Sequence, residues 1–397
     1  MPKLTKPTGI AHRRRSVFCV CSCLLALFIS CKPNIEHYLQ TTPHTNNGVP
    51  WRLAYYQGGE YLEYKDHFRG FLQGLQSIGW IWVPDTILNK RRTCRDLWNL
   101  VAKHDTLPYL QLDTTMFWCA EWQNESRKRN QTNALRRFSN GEADMVIAMG
   151  TWAGCDLASD DHTVPVLVMS ATDPIASGIL KSPKESSYPH VYASCDPERY
   201  IRQINAFHNI IGFKRIGVVY EDTPDGRIYA NLPVLEAIGR KRGFEVIGCA
   251  APETDVADSL AMRLVKECYA SIADRIDALW VQVHLGENPE HLSEILEPIY
   301  RQGVPTWSQL GERGVQAGVL LSIAERSRDD IGRHMSRVAA TILNGMQPGK
   351  LPFVYKDPKA IAINLSVARR IGFEIPSSLP AVADTTYSTI RGIREEG

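Results

Sequence analysis

Polar and aromatic side chains follow several apolar, strand-like runs in both halves of the sequence. Hydroxyl and amide groups suit a carboxylate, an acidic side chain suits an ammonium group, and aromatic rings suit an apolar side chain. Each residue alone also fits an ordinary role, the aromatic ones as core and the acids as turn formers. Their recurrence across strands predicts a binding site for a small molecule. The candidate ligand-binding residues are Tyr55, Tyr56, Thr151, Trp152, Ser170, Thr172, Asp173, Glu221, Asp222, Gln282, His284 and Trp307.

The stretch from residue 144 to residue 178 predicts the order strand, turn, helix, strand and polar loop. Met145–Met149 and Val164–Met169 are short apolar runs typical of strands buried on both faces. Open α/β sheets bind ligands at the carboxyl ends of their strands, and a helix N-terminus there attracts anions. We therefore expect Thr151 and Thr172 to hold a carboxylate. The same pattern also fits an ordinary βαβ unit with a hydroxyl cap.

For a ligand that also carries an ammonium group, the partner of that group is predicted to be an acid such as Asp173 or Asp222. The rings of Tyr55, Trp152 and Trp307 are predicted to cover the ligand's side chain. A ligand that touches both halves of the protein would favour a closed arrangement over an open one.

Motifs for catalysis and cofactor binding are missing from the sequence. There is no G-x-G-x-x-G after the first predicted strand, no G-x-S-x-G and no H-E-x-x-H. Cysteines at positions 19, 21 and 23 resemble a metal cluster, but they lie in an apolar leader and are interpreted as hydrophobic residues. We predict no cofactor, no metal and no catalysis. The acids at strand ends leave an enzyme on a similar α/β frame as a disfavoured alternative.

The first thirty residues have the plan of a secretory signal. A basic region ends at Arg15, an apolar run extends from Val17 to Ile29, and Ser30 precedes Cys31. This order resembles a bacterial lipoprotein signal and predicts a lipid on Cys31, with plain cleavage or a retained anchor as alternatives. Residues 31–50 are polar and predict a flexible tether. The protein is thus expected on the periplasmic side of a bacterial membrane or at the cell surface, anchored by lipid.

The overall charge of +2 comes from the leader, which holds five basic residues and no acid, so the remainder carries 2 − 5 = −3. This charge predicts no nucleic-acid surface. Beyond the tether, alternating strands and helices predict an α/β fold of two doubly wound, Rossmann-like lobes joined by a hinge. Lobe 1 is predicted from residues 51–180 and about 325–350. Lobe 2 is predicted from residues 181–324 and about 351–397.

Several segments in this order resemble one protein family. They include "FRGFLQGLQSIGW", "DMVIAMGT", "VPVLVMSATDPIASGI", "FKRIGVVYED", "RIDALWVQV" and "GVPTWSQ". From about residue 51 to residue 376, the chain resembles the ABC-transporter substrate-binding proteins whose studied members bind tryptophan and other aromatic amino acids. The resemblance implies the fold of type I periplasmic binding proteins. It also implies that Gly150-Thr151 and Thr172-Asp173 line the cleft in lobe 1, and that Glu221-Asp222 and Gln282 line it in lobe 2.

Two features depart from the family pattern. The segment Pro84–Asn140 is longer and more aromatic than usual, and Trp152 stands where a small residue commonly follows Gly-Thr. Both would reshape the pocket. The resemblance predicts an extracytoplasmic lipoprotein that binds a small ligand, expected to be an amino acid, and delivers it to the permease and ATPase subunits of an ABC importer. A tethered sensor that presents its closed form to a signalling partner is the alternative.

Overall fold

The computed structural model describes residues 39–89, 93–104, 107–325, 328–356, 359–376 and 378–392. The predicted signal peptide and the predicted lipidation site, Cys31, lie outside these residues. No helix in the described part of the chain is long and apolar enough to span a membrane.

The first part of the chain alternates strands with helices. Its strands are β1 (Trp51–Gln57), β2 (Leu110–Cys119), β3 (Met145–Met149), β4 (Val166–Met169), β5 (Leu180–Ser182), β6 (Glu185–Ser186) and β7 (Val191–Ala193). Its helices are α1 (Leu62–Ser77), α2 (Asp85–Leu88), α3 (Cys94–Ala102), α4 (Asn124–Ser139) and α5 (Thr151–Leu157).

The alternation continues in the second part. Its helices are α6 (Arg199–Ile211), α7 (Pro224–Tyr229), α8 (Leu232–Arg242), α9 (Asp258–Ile272), α10 (Leu292–Ile295), α11 (Glu297–Arg301), α12 (Glu312–Ala317), α13 (Arg328–Leu343), α14 (Leu365–Ile371) and α15 (Ser378–Val382). Its strands are β8 (Arg215–Tyr220), β9 (Glu245–Ala250), β10 (Ala278–Val281), β11 (Thr306–Ser308), β12 (Leu321–Glu325), β13 (Lys359–Asn364) and β14 (Thr385–Tyr387).

The two main sheets define two lobes. Lobe 1 contains a parallel sheet of order β2-β1-β3-β4-β7, and lobe 2 contains a sheet of order β14-β13-β12-β11-β10-β8-β9. In the second sheet only the β12–β13 pair is antiparallel. Helices cover both faces of the central strands, so that all five residues of β3 are buried. Each lobe has its own hydrophobic core. The predicted fold of two doubly wound lobes is confirmed.

The border between the lobes differs from the predicted one. Residues 181–195 were predicted in lobe 2, but β7 completes the sheet of lobe 1 and its three residues belong to that core. The chain therefore first passes to lobe 2 between β7 and α6. It returns between β12 and α13, and leaves lobe 1 again after Phe353, where Cys195 and Val354 form a parallel bridge.

Helix α13 lies against α1 in lobe 1 at very close range. A Cβ at Gly70 would lie 2.7 Å from the Asp329 Cα, and a Cβ at Gly332 would lie 2.5 Å from the His67 carbonyl oxygen. Glycines on both helices thus allow the two backbones to touch. This tight packing fixes the first turns of α13 on lobe 1.

Residues 39–50, the described part of the predicted tether, are attached to lobe 1. The Trp80 indole donates to the Thr41 carbonyl at 2.8 Å, and the Asn344 amide donates to the Thr42 carbonyl at 3.2 Å. The ring of His44 contacts Trp51 and Trp80 edge-on. The structured domain therefore begins earlier than predicted, because aromatic residues of lobe 1 provide partners for this polar segment.

One disulfide lies in lobe 2. Cys249 on β9 and Cys268 on α9 are bonded, with their Cα atoms 5.6 Å apart. The sequence offered no basis for choosing this pair, because disulfide connectivity depends on the fold. Cys94, Cys119, Cys155 and Cys195 are free thiols.

Candidate functional site

A cavity of about 150 Å³ lies between the two lobes. A cavity needs about 10–15 Å³ to hold one water molecule. This cavity therefore has room for roughly ten waters, which together are about the size of an amino acid. Lobe 1 contributes Tyr61, Glu63, Tyr64, His67, Trp122, Thr151, Trp152, Ser170, Thr172 and Asp173 to the lining. Lobe 2 and the hinge contribute Cys195, Asp196, Arg199, Tyr200, Tyr229, Glu253, Thr254, Leu285, Gln309 and Tyr355.

Hydroxyl groups form one part of the lobe 1 wall. The Thr151 hydroxyl accepts a hydrogen bond from the Thr172 amide at 3.1 Å, which joins the loops that follow β3 and β4. A hydroxyl that accepts one bond retains its proton for donation. Ser170, the first residue after β4, has a φ of 61°, a left-handed conformation that is uncommon outside glycine. These groups can donate to an anion in the cavity.

Asp173 lies on the same wall, but one of its oxygens is engaged. Its Oδ1 accepts hydrogen bonds from the amides of Ile175 and Ala176 at 3.0 and 2.9 Å. These bonds shape the loop that closes this side of the cavity. The carboxylate therefore has a structural role beside any contact with a ligand.

Aromatic rings form the apolar part of the lobe 1 wall. Trp122 and Trp152 meet edge-on with ring centroids 5.6 Å apart. The Trp122 indole donates to the Glu60 carbonyl at 3.1 Å, and the Arg127 guanidinium lies 4.2 Å from the centroid of the Trp152 ring. Hydrogen bonding and the cation–π contact hold both indoles in place.

Glu253 is the acid that lobe 2 presents to the cavity. It is only 7% exposed, and its Oε2 accepts the Leu285 amide at 2.8 Å. Its Oε1 is buried and has no hydrogen-bond partner. Burial raises the pKa of Glu253, and the neighbouring Glu221 adds to this, while His284 and the Leu285 amide oppose it. A buried acceptor without a partner is costly, so Oε1 is suited to a donor supplied by a ligand.

His284 lies beside Glu253 and is held by the backbone. The Gly286 amide donates to His284 Nδ1 at 2.9 Å, and His284 Nε2 lies 3.0 Å from the Ala251 carbonyl oxygen. The Nδ1 atom is 3.9 Å from Glu253 Oε2. No lysine or arginine in the described ranges forms an ion pair with Glu253. Among these residues the buried Glu253 carboxyl group therefore has no lysine or arginine partner.

The family of the protein follows from sequence comparison. Residues 119–387 match the family model described as ABC transporter substrate binding protein. The chain belongs to this family of substrate-binding proteins. Its members bind small ligands and work with ABC transporters. No curated protein sequence matches the chain.

Solved structures agree with this assignment at the level of the fold. A domain from Streptococcus pneumonia in complex with L-Trp is 19% identical, with a TM-score of 0.64, and covers 85% of this chain and 100% of its own. A conserved domain protein from Vibrio cholerae is 19% identical, with a TM-score of 0.63, and covers 85% and 99%. An open, ligand-free substrate-binding protein with adhesive properties from Clostridium difficile is 18% identical, with a TM-score of 0.54, and covers 85% and 100%. The fold is that of type I periplasmic binding proteins.

In this substrate-binding protein, the two tyrosines that were predicted to bind the ligand lie in the core. Tyr55 and Tyr56 are fully buried on β1 and do not line the cavity. The Tyr55 hydroxyl donates to Gln57 Oε1 at 3.0 Å and its ring stacks on Phe117, while the Tyr56 hydroxyl donates to Asp156 at 2.9 Å. The prediction for both was wrong about position, because a central strand has helices on both faces.

The predicted lobe 2 residues do not line the cavity. Glu221 Oε1 accepts the amides of Glu253 and Thr254 at 3.0 and 2.9 Å, so it supports the cavity wall from behind. Asp222 points outward and pairs with Arg227 at 2.6 Å. The other three are fully or almost fully buried behind the cavity: Gln282, His284 and Trp307.

The sequence analysis also missed residues that the cavity uses. Glu253 follows β9 by three residues, and Gln309 follows β11 directly, so a search for polar residues slightly beyond each strand end would have found them. Trp122 lies in the long aromatic segment that departs from the family pattern. Tyr61 and Tyr64 come from the start of α1, and both lie farther beyond the end of β1 than Ser170 lies beyond the end of β4.

Among the residues that the structure describes, no group of three His, Cys, Asp or Glu side chains could hold a metal ion.

Proposed function

We propose that this protein is the solute-binding lipoprotein of an ABC importer and closes its lobes around an amino acid, with aromatic amino acids preferred. The observation that carries this proposal is Glu253, a buried acid of the cavity lining whose Oε1 has no hydrogen-bond partner. A ligand with an ammonium group supplies both the charge and the hydrogen bond that this acid lacks. A charge-assisted hydrogen bond of this kind contributes about 1.5–3 kcal/mol.

The carboxylate of the ligand would lie toward lobe 1. Thr151, Ser170 and Thr172 bring hydroxyl and amide groups to that wall, and Arg199 of lobe 2 adds a guanidinium to the lining. The acid Glu253 belongs to the other lobe. An amino acid oriented in this way touches both lobes, so it binds the closed arrangement better than an open one.

The side chain of the ligand would lie among aromatic rings. Tyr64, Trp122 and Trp152 of lobe 1 and Tyr229 of lobe 2 line the cavity. Aromatic rings in stacked or edge-on contact add about 0.5–1.5 kcal/mol per pair beyond simple burial. The cavity volume of about 150 Å³ suits a ligand of this size.

An extracytoplasmic site of action is supported by the family and by the disulfide. Substrate-binding proteins of this family are extracytoplasmic, and the Cys249–Cys268 disulfide is the kind of bond that persists in oxidising compartments. Attachment to a membrane would occur through a lipid on Cys31, in keeping with the lipoprotein-like leader. The partners would be the permease and ATPase subunits of the importer, which receive the closed, loaded form.

Calorimetry with matched ligands tests the proposal. L-tryptophan, L-tyrosine and L-phenylalanine should bind the wild-type protein. Tryptamine lacks the carboxylate and indole-3-propionate lacks the ammonium group, so each should bind more weakly. Replacing Glu253 by Gln should weaken the binding of L-tryptophan by about 10- to 100-fold and leave the binding of indole-3-propionate unchanged. If no amino acid binds, the proposed ligand class is wrong. If the Glu253→Gln protein binds L-tryptophan as tightly as the wild type does, the proposed role of Glu253 is wrong.

A further inference from the structure

Two short segments meet between the lobes beside the cavity. They are residues 122–124 of lobe 1 and residues 253–255 of lobe 2, and both contribute to the cavity lining. The Asp255 amide donates to the Trp122 carbonyl at 3.1 Å. The Asp255 carboxylate accepts two bonds from Asn124, one from the backbone amide to Oδ1 and one from the side-chain amide to Oδ2, both at 2.8 Å. Three hydrogen bonds therefore join one residue of lobe 2 to lobe 1.

Asp255 caps a helix that belongs to the other lobe. Helix α4 has no side-chain cap from its own N-cap residue, Gln123. The first amide groups of a helix need acceptors, and an anion is favourable at this end because of the helix dipole. The bonds from Asn124 lower the pKa of Asp255, as expected for a carboxylate stabilised in its ionised form. The cap can form only while the two lobes are in this arrangement.

The backbone of Asp255 is adapted to this contact. Its φ is 59°, in the left-handed region that aspartate tolerates better than most residues do. This conformation presents the amide and the carboxylate of one residue to the same helix end. It also makes glycine an unstrained replacement that keeps the amide and removes the carboxylate.

We infer that Asp255 is a positioning residue that holds the lobes closed through Trp122 and Asn124 and thereby raises ligand affinity without touching the ligand. This inference rests on the proposed function, because affinity is measured for an amino acid. The apparent affinity of a two-state protein falls in proportion to the fraction of molecules in the binding-competent state. The latch is defined as the three bonds of Asp255. Loss of its two carboxylate bonds lowers the closed fraction and speeds ligand release.

The test compares Asp255→Gly with the wild type and with Asp222→Asn, a change at an exposed acid of the same lobe that pairs with Arg227 of its own lobe. For the probe L-tryptophan, Asp255→Gly should weaken binding by about 3- to 10-fold, mostly through faster dissociation. The radius of gyration in solution scattering should increase, and the Asn124 amide should exchange hydrogen faster. The melting temperature of the ligand-free protein should fall only slightly, because the unstrained backbone of glycine offsets part of the lost cap. Asp222→Asn should match the wild type in all four measurements.

The outcomes separate this inference from the proposed function. If the wild type binds L-tryptophan and Asp255→Gly shows the same affinity, dissociation rate and scattering, the latch is refuted. If the wild type does not bind L-tryptophan, the proposed ligand is wrong, and the latch is then judged from scattering and hydrogen exchange alone. An unchanged radius and an unchanged Asn124 exchange rate would refute it in that case as well.

Discussion

The Tyr64 hydroxyl fills the space beside Gly150 that a side chain at this position would need. A Cβ built on Gly150 would lie 2.6 Å from Tyr64 Cζ and would overlap the hydroxyl oxygen. The φ of Gly150 is 89°, which also disfavours any residue with a side chain. Because Tyr64 lines the cavity and Gly150 precedes Thr151, this contact sets the distance between α1 and the hydroxyl wall.

Replacing Gly150 by Ala should therefore destabilise the protein and distort the cavity. Backbone strain costs about 1 kcal/mol or more, and displacement of a buried ring adds to it, so we expect a loss of about 3 kcal/mol. Urea unfolding measures this loss. Gly141→Ala is the matched control, because Gly141 has a φ of 68° but nothing within 4 Å of its would-be Cβ. Equal losses for the two variants would show that Tyr64 does not constrain Gly150.

Ligand binding should release a proton from Glu253. Burial raises the pKa of this carboxyl group, so the empty site retains its proton to higher pH than a carboxyl in water. An ammonium group beside Oε1 favours the ionised form. Affinity for L-tryptophan should thus increase as pH rises through the raised pKa. Calorimetry at one pH in two buffers of different ionisation enthalpy detects the released proton, and identical heats in both buffers would argue against it. Glu253→Gln should abolish the difference.

The same group affects the stability of the ligand-free protein. The folded-state pKa of Glu253 lies above the ordinary value of 4.5. The favourable contribution of Glu253 to the free energy of unfolding is therefore present below pH 4.5 and is lost as pH rises through the raised pKa. Glu253→Gln removes this dependence. The stability of the variant relative to the wild type should therefore increase with pH over that interval, as urea unfolding at several pH values can show.

Arg127 should stabilise lobe 1 by neutralising Asp156. The guanidinium contacts both oxygens of this mostly buried carboxylate at 2.8 and 3.1 Å. Removing one partner of a buried pair leaves an uncompensated charge, and we expect Arg127→Met to cost about 3 kcal/mol in urea unfolding. Part of this loss should return in the double variant with Asp156→Asn. Arg215→Met provides the control, since its pair with Asp277 is exposed and contributes about 0–1 kcal/mol. A loss no larger than that control would contradict the prediction.

The fold was largely readable from hydrophobic runs. The predicted strand Met145–Met149 has the same bounds in the structure, because central parallel strands are continuous apolar runs. The lobe border was misplaced because β7 has only three residues, too few to show a periodic pattern. Its assignment depends on pairing with β4, which is a tertiary contact.

The cavity was predictable on one side only. Thr151, Ser170 and Thr172 lie one to three residues beyond the ends of strands of lobe 1, so their position could be inferred from local sequence. In lobe 2 the acid after β8, Glu221, turns back to hold the loop that carries Glu253. Which of two acids reaches the cavity and which supports the other depends on how adjacent loops pack. Local patterns contain no information about that choice.

The Thr151 hydroxyl should be more important for carboxylate binding than for the fold. Thr151→Val keeps the shape of the side chain but removes the acceptor for the Thr172 amide at 3.1 Å and the donor for a ligand. We expect L-tryptophan to bind about 10-fold more weakly, whereas tryptamine, which has no carboxylate, should lose much less. Thr132→Val is the control, because the Thr132 hydroxyl bonds to the Lys128 carbonyl within exposed helix α4. If Thr151→Val weakens the binding of both ligands equally, the hydroxyl only organises the two loops, and the carboxylate of L-tryptophan lies elsewhere in the cavity.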